Sequence, residues 1–452
     1  MIGRLRRALG EDRVVTDPDV LAAHGRDATG RFGAPPVALV RPRDTAEVAV
    51  VVALARETGT PLVPQGGNTG LVGGGVPRGR EVVVSTARLG PADLVVDADA
   101  GTVTAGAGAT LAAVQAAASA AGWRYPVDLA ARDTATIAGT IATNAGGHHV
   151  LAHGMTRHHL RGVEAVLGTG DVISHLRGLV KDNTGFDLAG LLCGSEGSLG
   201  IVTAACLGLV PAPAATAVAL VGCPDLDAAV RLTAAARLAL TDLEAAEVVL
   251  ADGATLVEAQ TGISLALDPV PPVTLLLEVA GATGAGERLA RFLAGQDDLG
   301  DTALAEDRAG RVALWRVREE QNPAVTRVGP AVKYDVTLPL AGLGEAVAEI
   351  RGRVAGLGPD ARLWVFGHVG DGNLHLNLTG LDVEDPDLVR RADDAVLGLV
   401  AERGGSISAE HGIGVAKRAH LHLARSPAEL WAFRAIKAAL DPDGILNPGV
   451  LV

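Results

Sequence analysis

The chain has 452 residues, more than one ordinary hydrophobic core accommodates, so two or more domains are expected. Apolar residues make up 48% of the sequence but aromatic residues only 2%, so alanine, valine and leucine must fill the core. The 52 acidic residues outnumber the 39 lysines and arginines and give a net charge of −13. This balance argues against a nucleic acid partner, because binding to phosphates needs clustered cations.

The three cysteines, Cys193, Cys206 and Cys223, have neither the even number of a disulfide framework nor the spacing of a CxxC motif. They are predicted to be reduced thiols in the core of a cytoplasmic protein. No apolar run approaches the roughly 18 residues of a membrane span, and no signal-peptide core follows the arginines near Met1. An integral membrane segment is therefore not expected, and peripheral attachment to a membrane stays open as an alternative location.

Helical and strand patterns alternate along the chain. In the first half they predict a helix over residues 45–58 capped by Thr45, and strands over residues 61–64 and 81–85. After a linker at residues 210–216, they predict helices over 225–240 and 340–354, strands over 273–279 and 363–367, and a last helix over 431–440. The second half therefore suits a sheet with helices on one face.

Glycine is concentrated in four turns before residue 201, at residues 66–75, 101–108, 139–147 and 194–200. The densest segment is PLVPQGGNTGLVGGGVP, in which a strand runs into a loop that carries Asn68 and Thr69. Because glycine lets the main chain approach a ligand closely, this loop can present backbone N–H groups and two side-chain donors to a diphosphate. It is neither a P-loop nor a Rossmann fingerprint, since no Gly-Lys-Ser/Thr and no GxGxxG is present there.

The order PQGGNTGL, YPVDLA, ATIAGTIATNAGG, GSEGSLGIVT resembles the FAD-binding domain of the vanillyl-alcohol oxidase superfamily, the PCMH type. More narrowly, nearly the whole chain is similar to the branch with FAD-linked D-lactate dehydrogenases, the glycolate oxidase flavin subunit and D-2-hydroxyglutarate dehydrogenase. The resemblance implies an α+β fold with three parts. These are a FAD-binding domain of two α/β subdomains (1–212), a cap domain with an antiparallel sheet, helices and the metal site (213–405), and a C-terminal segment that returns to the FAD domain (406–452).

The resemblance also implies the residues that bind FAD. The pyrophosphate would lie against Pro64, Gly66, Gly67, Asn68, Thr69, Gly70 and Leu71. The adenine and isoalloxazine would lie against Pro126, Leu129, Thr136, Gly139, Thr143, Asn144, Gly147, Glu196, Gly200 and Ile201. Several family members attach flavin covalently through a histidine in or near the first loop, and residues 66–70 contain none, so FAD is expected to be non-covalent. The chain departs from the family at Ala152 and His153, where a basic residue and a tyrosine are usual.

The second half carries residues suited to a divalent metal. The segment WVFGHVGDGNLHLNL predicts a β-hairpin that brings His368 near His375, with His375 and Asn377 on one face. Two imidazoles and a carboxylate leave an open position on the ion, as in catalytic zinc sites. Glu410, in SAEHGIG, is the natural third ligand, and His411 beside it is free to act as general base. A histidine in a strand is more often a satisfied core or surface group.

The resemblance weighs against that simpler interpretation. In D-2-hydroxyacid dehydrogenases of this family, the motifs similar to GHVGDGNLH and SAEHGIG supply the metal ligands and the catalytic histidine. This implies His368, His375 and Glu410 as ligands of a divalent metal, with zinc as the expected ion, and His411 as the base. A rival cluster of His148, His149, His153, His158 and His159 is less favoured. His149 and His153 would stand one helical turn apart, but no carboxylate or cysteine falls in that segment.

A substrate carboxylate needs a cation where water is excluded, and Arg318 and Lys333 are the candidates. Their spacing resembles D-2-hydroxyglutarate dehydrogenases, in which an Arg, a Thr four residues later and a Lys hold the carboxylate. Asn322 replaces that Thr here, and Asn377 joins the predicted substrate-binding set. The acid therefore stays open between D-2-hydroxyglutarate and D-lactate.

The function implied is oxidation of a D-2-hydroxy acid to the 2-oxo acid, with metal assistance and hydride transfer to flavin N5. No iron–sulfur motif or NAD fingerprint is present, so the electron acceptor is expected to be separate, such as an electron-transfer flavoprotein or a quinone. Two alternatives stay open, an oxidase of the same fold that uses dioxygen, and a flavin subunit active only within a glycolate-oxidase-like complex. A homodimer is also left open.

Overall fold

A computed structural model describes residues 1–90, 94–297 and 299–452. The chain divides into two compact units. Unit 1 comprises Met1–Gly147, Gly154–Ala212 and Glu410–Val452, and unit 2 comprises His148–His153 and Pro213–Ala409. The C-terminal segment thus returns to the unit that contains the N-terminal half of the chain.

The bounds of the elements are as follows. The helices are α1 Ile2–Leu9, α2 Pro18–His24, α3 Thr45–Thr58, α4 Leu111–Ala120, α5 Ile137–Thr143, α6 Val150–His153, α7 Thr156–His159, α8 Leu188–Leu192, α9 Leu226–Ala239, α10 Ala251–Thr261, α11 Ala285–Ala294, α12 Arg308–Glu319, α13 Gln321–Val328, α14 Leu343–Ala355, α15 Pro386–Glu402, α16 Leu421–Ala424 and α17 Pro427–Leu440. The strands are β1 Val14–Val15, β2 Ala38–Val40, β3 Leu62–Gln65, β4 Val82–Ser85, β5 Leu94–Asp97, β6 Thr102–Gly106, β7 Trp123–Arg124, β8 Leu160–Leu167, β9 Val172–His175, β10 Gly200–Gly208, β11 Val210–Pro211, β12 Ala215–Cys223, β13 Leu243–Leu250, β14 Val273–Gly281, β15 Thr302–Ala305, β16 Val332–Thr337, β17 Arg362–His368 and β18 Asn373–Thr379.

Among its described residues, unit 1 contains two larger sheets and the two-stranded antiparallel sheet of β7 and β11. The first has the strand order β1-β2-β4-β3, in which β2, β4 and β3 are parallel and β1 is antiparallel. The second has the order β5-β6-β10-β8-β9 and is antiparallel throughout. Valine, alanine and leucine form most of the core of unit 1, as the scarcity of aromatic residues predicts. All three cysteines are buried free thiols, which confirms their predicted place in the core.

Helix α3 has the predicted bounds, but the prediction of Thr45 as its cap was wrong. Asp44 is extended and its carboxylate accepts a hydrogen bond from the backbone N–H of Glu47 at 2.8 Å. An aspartate at this position satisfies an N–H group that the first helical turn leaves unpaired. The Thr45 hydroxyl instead donates to the Glu164 carboxylate in β8 and contacts the Thr203 hydroxyl.

The last helix, α17, begins at Pro427, four residues before the predicted start. Ser426 and Glu429 form a capping box there, and Pro427 takes the first helical position, where its missing N–H costs no hydrogen bond. The tail beyond α17 then pairs with β3, because Leu62 N donates to Ile445 O and Asn447 N donates to Leu62 O, each at 2.8 Å. This pairing holds the tail on the strand that leads into the first glycine loop.

Unit 2 contains a seven-stranded sheet in the order β15-β12-β14-β13-β17-β18-β16, antiparallel throughout. The predicted hairpin is β17 and β18, and the predicted strand at 273–279 is β14. The predicted linker at 210–216 is shorter in the structure, because β11 reaches Pro211 and β12 already begins at Ala215. Among the described residues, no helix combines the length and apolar character that a membrane span requires.

Register partners in this sheet place several polar side chains on one face, because residues directly opposite each other in neighbouring strands point the same way. Three sets of residues lie directly opposite one another across neighbouring strands. They are Glu247 with His368, Phe366 with His375 and Asp335, and Trp364 with Asn377 and Lys333. We call this surface the polar face of the unit 2 sheet.

Candidate active site

The first glycine loop of unit 1 packs against the segment that precedes α5. A Cβ atom on Gly67 would lie 1.9 Å from the Thr134 carbonyl oxygen, and one on Gly66 would lie 2.3 Å from Thr136 Oγ1. A side chain at either position would push the two segments apart. Two of the stretches predicted to bind FAD are therefore in direct contact, and they need these glycines to reach one another.

The loop is held by side-chain amides from three parts of unit 1. Gln65 Nε2 donates to Gly75 O at 2.8 Å and to His24 O at 3.1 Å. Asn68, at φ 54°, donates from Nδ2 to Arg26 O at 2.8 Å, and Asn447 Nδ2 donates to Gly74 O at 2.7 Å. The Asn68 side chain therefore shapes the loop, while Thr69 and Leu71 are half-buried and Gly70 is exposed.

The segments around α5 and residues 194–200 are joined through the backbone. Gly194 N donates to Ile141 O at 2.9 Å, and Glu196 N donates to Ala142 O at 2.8 Å. The predicted cofactor residues on α5 use their side chains locally. Thr136 caps the helix at Gly139 N, Thr143 Oγ1 donates to Gly139 O, and Asn144 Oδ1 accepts from Arg157 N.

The remaining predicted FAD residues flank this centre. Gly147 has φ 118°, and a Cβ atom there would lie 1.9 Å from Asp128 O and 3.3 Å from Leu129 Cδ2, so the segment that follows Pro126 packs on the NAGG turn. Pro64 is covered by Gly197, whose Cβ would lie 3.0 Å from Pro64 Cγ. Gly200 and Ile201 begin β10, and Ile201 is buried in the core of unit 1.

Glu196 anchors the C-terminal segment inside unit 1. Its buried carboxylate accepts hydrogen bonds from Ile413 N and Gly414 N, each at 2.8 Å. Burial raises the pKa of Glu196, which the two backbone N–H groups and Lys417 only partly offset. The carboxylate predicted to line the flavin therefore fixes the residues that directly follow His411.

Glu410 is likewise joined to the predicted flavin site. Its Oε2 atom accepts a hydrogen bond from Gly147 N at 2.9 Å. The predicted third metal ligand and the last residue of the NAGG turn are thus in contact within unit 1, and His411 is next to Glu410 in the chain. No simple sequence signal links these positions, which are 263 residues apart.

In unit 2 the hairpin brings the two predicted histidine ligands together. His368 Nε2 and His375 Nε2 are 3.3 Å apart. His368 Nδ1 lies 2.5 Å from Glu247 Oε1, and His375 Nδ1 lies 3.6 Å from Asp335 Oδ1. The contact with Glu247 favours a proton on His368 Nδ1, which leaves the Nε2 lone pair of His368 directed at His375 Nε2, at a distance at which the two atoms can share either a hydrogen bond or a cation.

The spacing of the two Nε2 atoms suits a metal ion. With Zn–N distances of about 2.0–2.1 Å, two ligands of a tetrahedral zinc stand about 3.3–3.4 Å apart. The carboxylates behind the imidazoles are the partners that usually orient metal-binding histidines. The spacing of the His368 and His375 Nε2 atoms therefore fits two ligands of one divalent ion.

Glu247 is a functional candidate that the sequence reasoning missed. It is buried between His368 and Arg318, whose Nε donates to Glu247 Oε2 at 2.6 Å. Burial would raise the pKa of Glu247, but His368 and Arg318 outweigh burial and lower it, so the group stays a carboxylate. The available signal was an acidic residue inside the apolar strand LEAAEVVL.

Three of the four predicted substrate-binding residues lie together. Lys333 and Asn377 are register partners, and Asn377 Nδ2 donates to Asn322 Oδ1 at 3.3 Å. Burial lowers the pKa of Lys333, and no carboxylate among the described residues contributes an offsetting effect. Arg318 differs, because its charge is balanced by Glu247 and its guanidinium lies 4.9 Å from the Phe366 ring centroid.

The histidine segment His148–His153 belongs to unit 2. The His148 ring lies 4.8 Å from the Trp315 ring and 6.0 Å from the His368 ring, and burial lowers the pKa of His148 to about 3, so it is neutral. His149 and His153 contact Glu278 in β14 and Glu244 in β13. The carboxylates missing from the local sequence are thus supplied by strands distant along the chain.

Two family models match the chain. The model described as FAD linked oxidases, C-terminal domain, matches residues 212–451, and the model described as FAD binding domain matches residues 36–175. The chain is 38% identical to the mitochondrial D-2-hydroxyglutarate dehydrogenase of Bos taurus, over 96% of this chain and 80% of the relative. It is also 38% identical to the D-2-hydroxyglutarate dehydrogenase of Xanthomonas citri pv. viticola, over 99% of this chain and 96% of the relative.

Solved structures share the fold. p-Cresol methylhydroxylase with substrate bound matches with a TM-score of 0.78 at 17% identity, over 99% of this chain and 95% of that chain. Alkyldihydroxyacetonephosphate synthase matches with a TM-score of 0.77 at 16% identity, over 99% of this chain and 85% of that chain. At such identity the likeness concerns the fold, which is the PCMH type expected from the four glycine-rich segments.

Proposed function

The chain belongs to the FAD-linked oxidase family as a FAD-linked hydroxyacid dehydrogenase, and from that premise we propose that it oxidises D-2-hydroxyglutarate to the 2-oxo acid with a divalent metal. FAD would be held without a covalent bond, and the electrons would pass to an acceptor other than NAD, such as an electron-transfer flavoprotein or a quinone. The observation that carries the metal-assisted chemistry is the 3.3 Å separation of the His368 and His375 Nε2 atoms. The relatives that share 38% identity support the substrate class.

The metal is proposed to be zinc, bound by His368, His375 and Glu410. The two imidazoles fit by their spacing and by the carboxylates behind them. Glu410 enters the proposal through its SAEHGIG motif. Three protein ligands leave a coordination position for substrate oxygen, which is the pattern of catalytic rather than structural zinc sites.

The residues of the chain divide the remaining work. When bound, FAD supplies a hydride acceptor at N5 and the metal supplies a Lewis acid at the substrate hydroxyl. His411 is proposed to remove the hydroxyl proton, since a neutral imidazole is a base near pH 7. Lys333, Asn322 and Asn377 are proposed to hold the carboxylate distant from the reacting carbon, and Arg318 to support them beside Glu247.

The distal carboxylate is the reason to favour D-2-hydroxyglutarate over D-lactate. Lys333 is half-buried, and burial lowers the pKa of its ammonium group. No carboxylate among the described residues offsets this effect, so an anionic ligand would stabilise the charged form of Lys333. D-lactate has no second carboxylate to offer. Lys333→Met is therefore expected to raise the KM for D-2-hydroxyglutarate at least tenfold and to change the KM for D-lactate little. Asn322→Thr introduces the threonine found at this position in the D-2-hydroxyglutarate dehydrogenases that the chain resembles. It is measured beside Lys333→Met as the matched variant.

The proposal is tested by an anaerobic spectrum of the purified yellow protein, supplied with zinc and titrated with D-2-hydroxyglutarate, D-lactate, glycolate and L-lactate. Bleaching of the flavin absorbance by D-2-hydroxyglutarate at the lowest concentration is expected. Bleaching by D-lactate alone would overturn the choice of acid, and bleaching by none of the four would overturn the function.

The route of the electrons is tested separately, after anaerobic reduction. Slow reoxidation by dioxygen and fast reoxidation by an electron-transfer flavoprotein or a quinone analogue are expected. Rapid, stoichiometric peroxide formation in air would identify an oxidase instead. Substrate reduction that appears only after partner subunits are added would identify a component of a glycolate-oxidase-like complex.

A further inference from the structure

We propose that His149, His153, Glu244 and Glu278 form a second divalent metal site in unit 2, with a structural role. The site is separate from the residues proposed for catalysis and does not depend on the proposed function. It would take a first-row divalent ion such as zinc, because a mixed set of imidazoles and carboxylates suits these ions.

The four side chains converge from two parts of the unit. His149 Nε2 lies 3.0 Å from Glu278 Oε1 and 4.0 Å from Glu244 Oε2, and His153 Nε2 lies 3.1 Å from Glu244 Oε1. One ligand atom each from His149, Glu244 and Glu278 falls within a common span of 4.8 Å. The 3.0 and 3.1 Å contacts are hydrogen-bond distances, slightly shorter than the about 3.3–3.4 Å between neighbouring ligands of a tetrahedral zinc, and His153 is outside the group of three and contacts the other oxygen of Glu244.

Local backbone geometry accounts for the convergence. His149 and His153 are one helical turn apart, with His153 N donating to His149 O at 3.0 Å, so both imidazoles project from the same side of the α6 turn. In the sheet, the β13–β14 register shifts between Leu243 and Ala245. Such a bulge redirects a side chain, and it lets Glu244 join Glu278 of the neighbouring strand.

The charge of the cluster calls for a cation. The side chains of Glu244 and Glu278 are only 4% and 12% exposed, and two carboxylates in such a place raise each other's energy unless positive charge is shared between them. A divalent ion supplies that charge while both histidines stay neutral. Protonation of the histidines is the other way to place positive charge beside the two carboxylates. In that case the cluster would be a set of ion pairs without a metal.

The surroundings resemble the outer shell of a metal site. Trp315 Nε1 donates to Glu278 Oε2 at 2.7 Å, which leaves Oε1 directed at His149. Outer hydrogen bonds of this kind orient the carboxylates that bind metals. Trp315 also packs on the His148 ring, so the two proposed sites are separated by this aromatic pair.

The identity of residue 153 matters to the site. His153 brings a second imidazole to the cluster, with its Nε2 atom 3.1 Å from Glu244 Oε1. A phenol is a poor ligand for zinc at neutral pH because its pKa is about 10. A histidine at this position therefore supplies a ligand that a tyrosine would not. A bound ion would fasten the His148–His153 segment to β13 and β14.

The test counts metal ions in the full-length, FAD-loaded chain. The protein is stripped with a chelator, dialysed against a small excess of zinc, freed of unbound metal and analysed by mass spectrometry. Two zinc ions per chain are expected for the wild type, one for His153→Tyr, one for His368→Ala and none for the double variant. His153→Tyr keeps an aromatic ring at this partly exposed position and is expected to fold. Glu244→Gln is the second variant, and the exposed His422→Tyr is the matched control.

Thermal unfolding provides the second readout. In His368→Ala, which retains only the second site, chelation is expected to lower Tm by several degrees, and in His368→Ala/His153→Tyr it is expected to have no effect. If the wild type binds one ion that His368→Ala loses and His153→Tyr keeps, the cluster is an ion-pair set only and the second site is overturned. One ion lost in His153→Tyr and kept in His368→Ala would instead support the second site and contradict the metal of the proposed function.

Discussion

Glu247 in β13 and His368 in β17 are register partners whose side chains meet at 2.5 Å, Glu247 Oε1 to His368 Nδ1. This contact directs His368 Nε2 towards His375. The same carboxylate binds Arg318, so one buried acid links a predicted metal ligand to a predicted substrate-binding residue.

Glu247→Gln is expected to weaken metal binding at the proposed His368–His375 site by about 10–100-fold, because it removes the carboxylate that fixes the His368 imidazole. It also leaves Arg318 buried without its anion, which costs about 3–5 kcal/mol of unfolding free energy. The measurements are competition with a chelating dye and denaturant unfolding. Glu402→Gln, at an exposed ion pair, is the control and should change neither. Unaltered metal affinity in Glu247→Gln would show that His368 needs no orientation by this residue.

The hairpin of β17 and β18 could be predicted from the sequence because its signals are local. Alternating apolar residues flank a VGDG turn, and the strand period of two places His375 and Asn377 on one face. The bounds of α3 were equally accessible from its apolar pattern. The cap was missed because Asp44 and Thr45 are both good capping residues, and the Glu164 carboxylate that engages Thr45 is 119 residues away.

The carboxylates behind the histidines could not be predicted in this way. Glu247 and Asp335 reach His368 and His375 through sheet register, and register between distant strands is not encoded in a short window. The same reason explains why His149 and His153 had no evident third ligand. Their partner Glu244 joins them through a bulge, which the sequence does not signal.

His411→Ala is expected to keep FAD and metal at wild-type content but to slow anaerobic flavin reduction by about 10²–10⁴-fold, the usual effect of a lost general base. The measurement is stopped-flow absorbance with D-2-hydroxyglutarate, together with FAD and metal analysis of the same sample. The exposed His422→Ala serves as control. Reduction at the wild-type rate would remove His411 from the proposed mechanism.

Glu410→Gln is expected to lower metal content, because it replaces one of only three proposed protein ligands by a weaker neutral one. FAD should stay bound, since the amide oxygen can still accept the hydrogen bond from Gly147 N. Metal analysis and the ratio of flavin to protein absorbance check both parts. Full metal content in this variant would argue that the ion is held by other residues.

Gly67→Ala is expected to destabilise unit 1 and to release FAD, since the new methyl group would lie 1.9 Å from the Thr134 carbonyl oxygen. Overpacking of this kind typically costs about 1–3 kcal/mol. Gly70→Ala is the comparison, because nothing lies within 4 Å of a Cβ atom there. Thermal unfolding and FAD content are measured for both. Loss of FAD from Gly70→Ala at unchanged Tm would show that the loop approaches the cofactor itself at that position.

Glu196→Gln tests the buried anchor of the C-terminal segment through its pH dependence. The NH2 group of glutamine cannot accept a hydrogen bond, whereas the hydroxyl oxygen of the protonated acid still can, so at pH 4.5 and below the variant should be less stable by about 1–3 kcal/mol. Because burial raises the pKa of Glu196 in the folded chain, the folded state keeps its proton after the unfolded state has released it near pH 4.5. The wild type therefore loses unfolding free energy as pH rises through that raised pKa, whereas the variant does not. The difference in unfolding free energy between the two proteins becomes smaller. Denaturant unfolding of both proteins from pH 4.5 to 8 measures this difference. A difference that grows with pH would mean that the two backbone donors lower the pKa of Glu196 more than burial raises it.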